Sequence, residues 1–217
     1  MMHLQKVCLM ILLSMLIMSS SASALRMESD ASWDFNVYLD GKKIGKHRFD
    51  LSVVDGVRQV QSAADFDYKF LFVSVYQYEH RAEEFWADNC LVTFTANTNT
   101  NGDQVSVSGA QSDSGFVIER DNNRVELPDC IMTFAYWNPE FLNQSRLLNP
   151  QTGEYIDVQV TAVGDEVLRI HGQDVTATRF RLTAYEMDLT LWYSPTQDWL
   201  ALESVAKGGR IVRYELS

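Results

Sequence analysis

The chain has 217 residues, with 18 Lys and Arg against 29 Asp and Glu, and a net charge of −11 at pH 7. That acidic balance argues against phosphate backbones and anionic bilayers, which are bound through Lys and Arg patches, so nucleic acid is excluded as a partner. The length suits one domain with a core of its own.

The first element is not part of that domain. Lys6 gives a positive start, Val7 to Met18 is an apolar run interrupted only by Ser14, and Ala22-Ser23-Ala24 supplies the small-x-small pattern of signal peptidase sites. The run is shorter than the ~20 residues that span a bilayer. Residues 1–24 therefore read as a signal peptide cleaved after Ala24, and residues 25–217 as a single β-rich domain in the periplasm. Cys8 opens the apolar run and no cysteine stands at the cleavage point, which argues against a lipid-modified N-terminus. No later stretch is long and apolar enough for a transmembrane helix.

From Phe35 onward, period-2 alternation dominates and turn residues recur at short intervals. Phe35, Val37 and Leu39 share one face, Asp40-Gly41 turns the chain, and Ile44–Val54 returns to Asp55-Gly56. Gln59–Val73 and Val75–Ala87 read as long strands ending at Asp88-Asn89. A strand from Cys90 runs to Asn101-Gly102, and shorter ones follow over Val105–Ser108, Phe116–Arg120 and Arg124–Leu127. After residue 150, Ile156, Val158, Val160 and Ala162 share a face, with Gly164-Asp165 as the next turn. Val167–Ile170, Val175–Tyr185, Leu189–Tyr193, Trp199–Val205 and Ile211–Leu216 complete the series, the last two joined at Gly208-Gly209.

One stretch breaks the pattern. Asn138-Pro139-Glu140 has the form of a helix start, with an N-cap, a proline at the first position and an acid against the dipole. A short helix over Pro139–Ser145 is predicted, with Met132–Trp137 as a preceding helical turn. The fold class is therefore mainly β: a single curved antiparallel meander, half-barrel or partly closed barrel, with one short helical segment near residues 132–146.

Chemistry-bearing residues are few. Cys90 and Cys130 remain after processing, and two cysteines in an oxidising compartment most often form a disulfide. His80 and Glu84 share a strand face but stand ~13 Å apart, so no metal site is predicted from them. His47, between Lys46 and Arg48, reads as solvated, and His171 sits at a turn beside Gly172. Glu83 and Glu84 point to opposite faces and cannot act as a glycosidase pair. The sequence has no G-x-S-x-G elbow, no phosphate loop and no EF-hand loop, so neither a catalytic residue nor a cofactor is assigned.

Aromatic residues are abundant. Phe66, Tyr68, Phe70 and Phe72 share one strand face, Tyr76 and Tyr78 follow, and Tyr136, Trp137, Trp192 and Trp199 add more. They read either as the core of a curved sheet or as the lining of an apolar ligand cavity. In the second reading Phe70, Tyr76, Tyr78, Tyr136, Trp137 and Trp192 bind the ligand, and Phe134–Pro139 forms a flap or plug over its mouth, with Trp137 filling the cavity and Asn138 capping the helix behind it.

Four stretches carry a family resemblance: Tyr38 to Gly45 (YLDGKKIG), Phe134 to Pro139 (FAYWNP), Leu147-Leu148-Asn149 with Thr152-Gly153, and Leu191 to Ser194 (LWYS). Together they resemble domain-of-unknown-function family 6134, a family of exported bacterial proteins, over the whole mature chain. More distantly, the opening hairpin and the LWYS strand are similar to half-barrel proteins such as the lipoprotein carriers LolA and LolB. That resemblance implies acyl chains held in the concavity of a curved sheet, although this chain has one short helical segment where those carriers have several. The expected function is a non-catalytic exported protein binding a lipid or other apolar small molecule. The alternatives are a structural or assembly partner of another envelope protein, and a glycan-acting enzyme.

Overall fold

A computed structural model describes residues 30–71 and 73–217; for Phe70 and Lys207 only the backbone is described. The expected signal peptide, residues 1–24, and Phe72 lie outside the described residues. Thirteen strands form one antiparallel sheet: β1 Ala31–Leu39, β2 Lys42–Val54, β3 Val57–Phe70, β4 Val73–Ala87, β5 Cys90–Thr100, β6 Asp103–Ser112, β7 Gly115–Arg120, β8 Asn123–Leu127, and then, after an intervening hairpin, β11 Gln159–Ile170, β12 Gln173–Ala184, β13 Met187–Tyr193, β14 Trp199–Ala206 and β15 Arg210–Leu216. The hairpin is β9 Arg146–Asn149 with β10 Glu154–Asp157.

The order across the sheet is β11-β12-β13-β14-β15-β1-β2-β3-β4-β5-β6-β7-β8. First and last strands therefore pair at its middle, Phe35 opposite Leu216 and Leu39 opposite Val212. Two meanders are joined along that seam. The sheet is curved but not closed, and β8 and β11 are its edges.

Residues 128–158 connect those two edges by crossing the inner face. Among them Ile131, Met132, Ala135, Trp137, Phe141, Leu147 and Leu148 are buried in the main core with Phe35, Trp86, Phe94, Phe116, Leu191 and Trp199. The crossing segment is thus a plug, because a one-sided sheet of this size needs a second layer over its apolar face. It is fastened at its start by the Cys90–Cys130 disulfide and by the Leu91 N–H donating to the Ile131 carbonyl at 3.0 Å. Further along, the Leu148 N–H donates to the Met132 carbonyl at 2.9 Å.

Alternation places the inner-face side chains in rows across the strands. One row runs Leu51, Val60, Glu84, Phe94; the next Phe49, Ser62, Ala82, Ala96; the third His47, Ala64, His80, Thr98. Gly45 faces the Asp65–Phe66 backbone so closely that a Cβ there would lie 1.9 Å from the Asp65 carbonyl oxygen. Only glycine permits that approach.

Several expectations are corrected. Met132–Trp137 is not helical, and Pro139–Asn143 is a single 3-10 turn rather than a longer helix, although Asn138 does cap it by accepting from the Glu140 N–H at 3.2 Å. Gly164-Asp165 is not a turn. Gly164 adopts positive φ inside β11 at a register shift, a bulge in a continuous strand. Ile156 belongs to the plug hairpin and not to the strand that carries Val160.

Candidate functional site

The plug leaves a recess over these three rows, a pocket of ≈ 90 Å³. Its floor is His47, Phe49, Val60, Ser62, His80, Ala82 and Glu84 from β2, β3 and β4. Its walls are Phe134, Ala135, Tyr136 and Trp137 of the plug, and its rim is Asn149, Pro150, Gln151 and Met187.

Two of the floor residues are imidazoles, His47 and His80, which stand on either side of Ala64 in the third row. His47 shares a hydrogen bond of 2.7 Å between Nε2 and Ser62 Oγ, its Nδ1 lies 3.3 Å from the Tyr214 hydroxyl, and its ring stacks on Phe49 at 4.1 Å. Burial pushes its pKa down to about 3, with repulsion from His80 and Arg81 adding to the effect. His80 Nδ1 bonds to Thr98 Oγ1 at 2.9 Å, and burial, then the charge of Arg81, pushes it down to about 4. Both rings are neutral at pH 7. Glu84 is buried beneath the plug, accepting from Trp86 Nε1 at 3.1 Å and Thr133 Oγ1 at 3.3 Å. Desolvation lifts its carboxyl to about 7 against the pull of those two donors.

The wall is equally fixed. Trp137 stands edge-on to Trp86 at 5.6 Å with the Arg58 guanidinium 5.2 Å from its ring. The Tyr136 carbonyl accepts from the Tyr193 hydroxyl at 2.7 Å, and its ring lies 5.2 Å from Trp199 and 5.7 Å from Phe141. Burial raises the Tyr136 phenol, so it stays protonated.

Of the residues expected to bind a ligand, Tyr136 and Trp137 line the pocket. Tyr78 lies beside it, stacked between Phe66 at 5.2 Å and His80 at 6.3 Å, and Tyr76 follows at 6.4 Å toward the end of the hairpin. Phe70 ends β3, and its side chain lies outside the described residues. Trp192 is placed elsewhere. It packs on the outer face with Leu168, Ala177, Leu200 and Ala201 and donates from Nε1 to Glu166 at 3.0 Å, because Leu191 and Tyr193 take the inner positions of β13. His47, expected in solvent, is an inner-face residue: it shares the face of Phe49, while Lys46 and Arg48 point out. Ser62 carried no signal in the sequence beyond its place in the alternation. Among the described residues, no group of three or more His, Cys, Asp or Glu is arranged to hold a metal ion.

A barrel-like antiparallel sheet wrapped around its own connecting segment is the class this fold defines. Within it, a model of the family described as Domain of unknown function (DUF6134) matches residues 35–217, and the chain belongs to that family. Its architecture is similar to the crystal structure of a beta-barrel-like protein of domain of unknown function DUF1849 from Brucella abortus, with TM-score 0.63, 8% identity, and coverage of 86% of this chain and 94% of that chain. At that identity the likeness speaks for the fold alone. No curated protein matches the chain.

Proposed function

We propose that the protein is an exported, non-catalytic binding protein of the cell envelope whose pocket receives a short apolar or aromatic group beside His47 and His80. The observation that carries this reading is a recess with aromatic walls left open in a face that the chain otherwise fills with its own residues. Export is supported by the Lys6, Val7–Met18 and Ala22-Ser23-Ala24 pattern and by the Cys90–Cys130 disulfide.

Size sets the ligand class. Pockets for drug-sized ligands span about 300–1,000 Å³, and this one is ≈ 90 Å³. An acyl chain laid along the concavity would have to displace Trp137, Phe141, Leu147 and Leu148, all buried, from a segment tied down by a disulfide. The occupant is therefore a group of side-chain size. A non-catalytic role is supported by how the polar groups are engaged. The His47–Ser62 pair has a tyrosine, not a carboxylate, at the second ring nitrogen, and Glu84 is the one carboxyl among the described residues lining the pocket. Glycoside hydrolysis needs two.

Titration with indole, benzyl alcohol, hexanoate and palmitate, read by tryptophan emission and by the ring signals of His47 and His80 in NMR, tests the reading. Short or aromatic probes should saturate and shift both rings, and Ala82→Leu, which fills the floor, should abolish the effect. Silence with every short probe, or stoichiometric lipid in native mass spectra of protein purified without detergent, would overturn it.

A second reading, an envelope assembly partner, is favoured by the open sheet. The edge strand β11 leaves one row of backbone groups available to a partner strand along Gln159–Ile170, interrupted at the Gly164 bulge.

A further inference from the structure

The β3–β4 hairpin overshoots its neighbours. The last β3 pair with β2 is Phe66–Gly45, and the last β4 pair with β5 is Tyr78–Thr100, yet β3 and β4 go on pairing to Phe70–Val73. Four residues at ~3.3 Å each make a two-stranded arm about 13 Å long. Its end is apolar and exposed: Leu71 at 75%, Val73 at 64% and Val75 at 53%. An exposed hairpin end of that composition is an aggregation liability unless something covers it.

Charge at its base says what does. In an alternating meander the β1–β2, β3–β4 and β14–β15 turns all lie at one end of the sheet, and these three pairs of strands are close neighbours in its order. Residues 40–43, 67–76 and 206–210 hold five basic residues, Lys42, Lys43, Lys69, Lys207 and Arg210, against two acidic ones, Asp40 and Asp67. That is a local +3 on a chain of net −11. The Lys42 Nζ and the Arg210 guanidinium sit 4.8 and 4.7 Å from the centre of the Tyr68 ring, which fixes both cations at the root of the arm. Tyr68 pairs with Tyr76 across the arm, between the cations and the apolar end. Aliphatic tip, tyrosine pair and cation collar in that order match the depth profile of a bilayer interface, where apolar groups enter about 5–10 Å, aromatic rings sit at the headgroups and cations meet lipid phosphates.

We infer that this arm docks the protein onto an anionic lipid surface. The inference does not depend on the pocket or its ligand. Vesicle flotation with the exported protein tests it, comparing phosphatidylethanolamine vesicles containing a quarter phosphatidylglycerol with pure phosphatidylcholine. The protein should float with the anionic vesicles and not the neutral ones, and binding should weaken as salt rises. Lys42→Gln and Lys43→Gln should each reduce binding roughly fivefold. V73D with V75D should abolish it while leaving the circular dichroism spectrum and the pocket's response to short probes intact. Failure to float with anionic vesicles, flotation unaffected by the arm variants, or arm variants that instead change the oligomeric state or the capture of an envelope protein would overturn the inference.

Discussion

Three titrating groups under the plug, His80 and Glu84 buried and His47 half-buried, set opposing pH dependences. His47 and His80 have folded pKa values of about 3 and about 4 against an ordinary 6.5, so the stability gained by keeping them neutral is present above pH 6.5 and is lost as pH falls below it. Glu84, raised to about 7 from 4.5, runs the other way: its contribution is present below pH 4.5 and is lost as pH rises toward 7. Two histidines outweigh one carboxyl in the acid range, so the summed contribution peaks close to neutrality. Urea unfolding from pH 4 to 8 should show His80→Gln gaining on the parent as pH falls, by roughly 3 kcal/mol across the window. Glu84→Gln should gain on the parent by a similar roughly 3 kcal/mol between pH 4.5 and 8. A constant offset at every pH would show that these groups titrate alike folded and unfolded. None of this was legible in the sequence at His47, whose basic neighbours suggested solvent. Strand alternation with Phe49 was the signal that placed it inside, and it outranks the charge of adjacent residues.

At the scale of elements, the decisive feature is the crossing segment. Its sequence has neither a period of 2 nor one of 3.6, so pattern reading could mark it only as an interruption with a helix start at Asn138. The cap was legible because it is local chemistry. The inward fold of Phe141 and Leu148 was not, since it follows from what the opposite sheet face leaves uncovered. Trp192 shows the same limit: alternation groups residues by face, but it does not say which face of β13 is the inner one. The Cys90–Cys130 loop of 40 residues contributes about 4 kcal/mol on the chain-entropy account. Replacing both cysteines with serine should lower the urea midpoint by the equivalent of that amount and loosen the plug, measured as faster amide exchange at Ile131 and Met132. An unchanged midpoint would mean that packing alone holds the segment.

For the molecule as a whole, turn chemistry and alternation were enough to read a mainly β meander, and the curved antiparallel sheet agrees. What they could not give was the strand order, because the pairing of β1 with β15 links residues far apart in sequence. That pairing holds the two meanders together, so removal of residues 210–217 should leave no cooperative urea transition by circular dichroism and near-ultraviolet signals. A single transition with the original midpoint would show that the first meander and the plug are stable alone.

The seam also fixes an order of events. One side of β1, from Phe35 to Leu39, has no neighbour until Arg210–Leu216, a strand far along the chain, arrives. Loop closure over so much chain is slow. Until β15 is made, the two halves of the sheet stay divided. A sheet joined only by so distant a strand remains open to helper proteins and to proteolysis up to that moment, and is shielded from both afterwards.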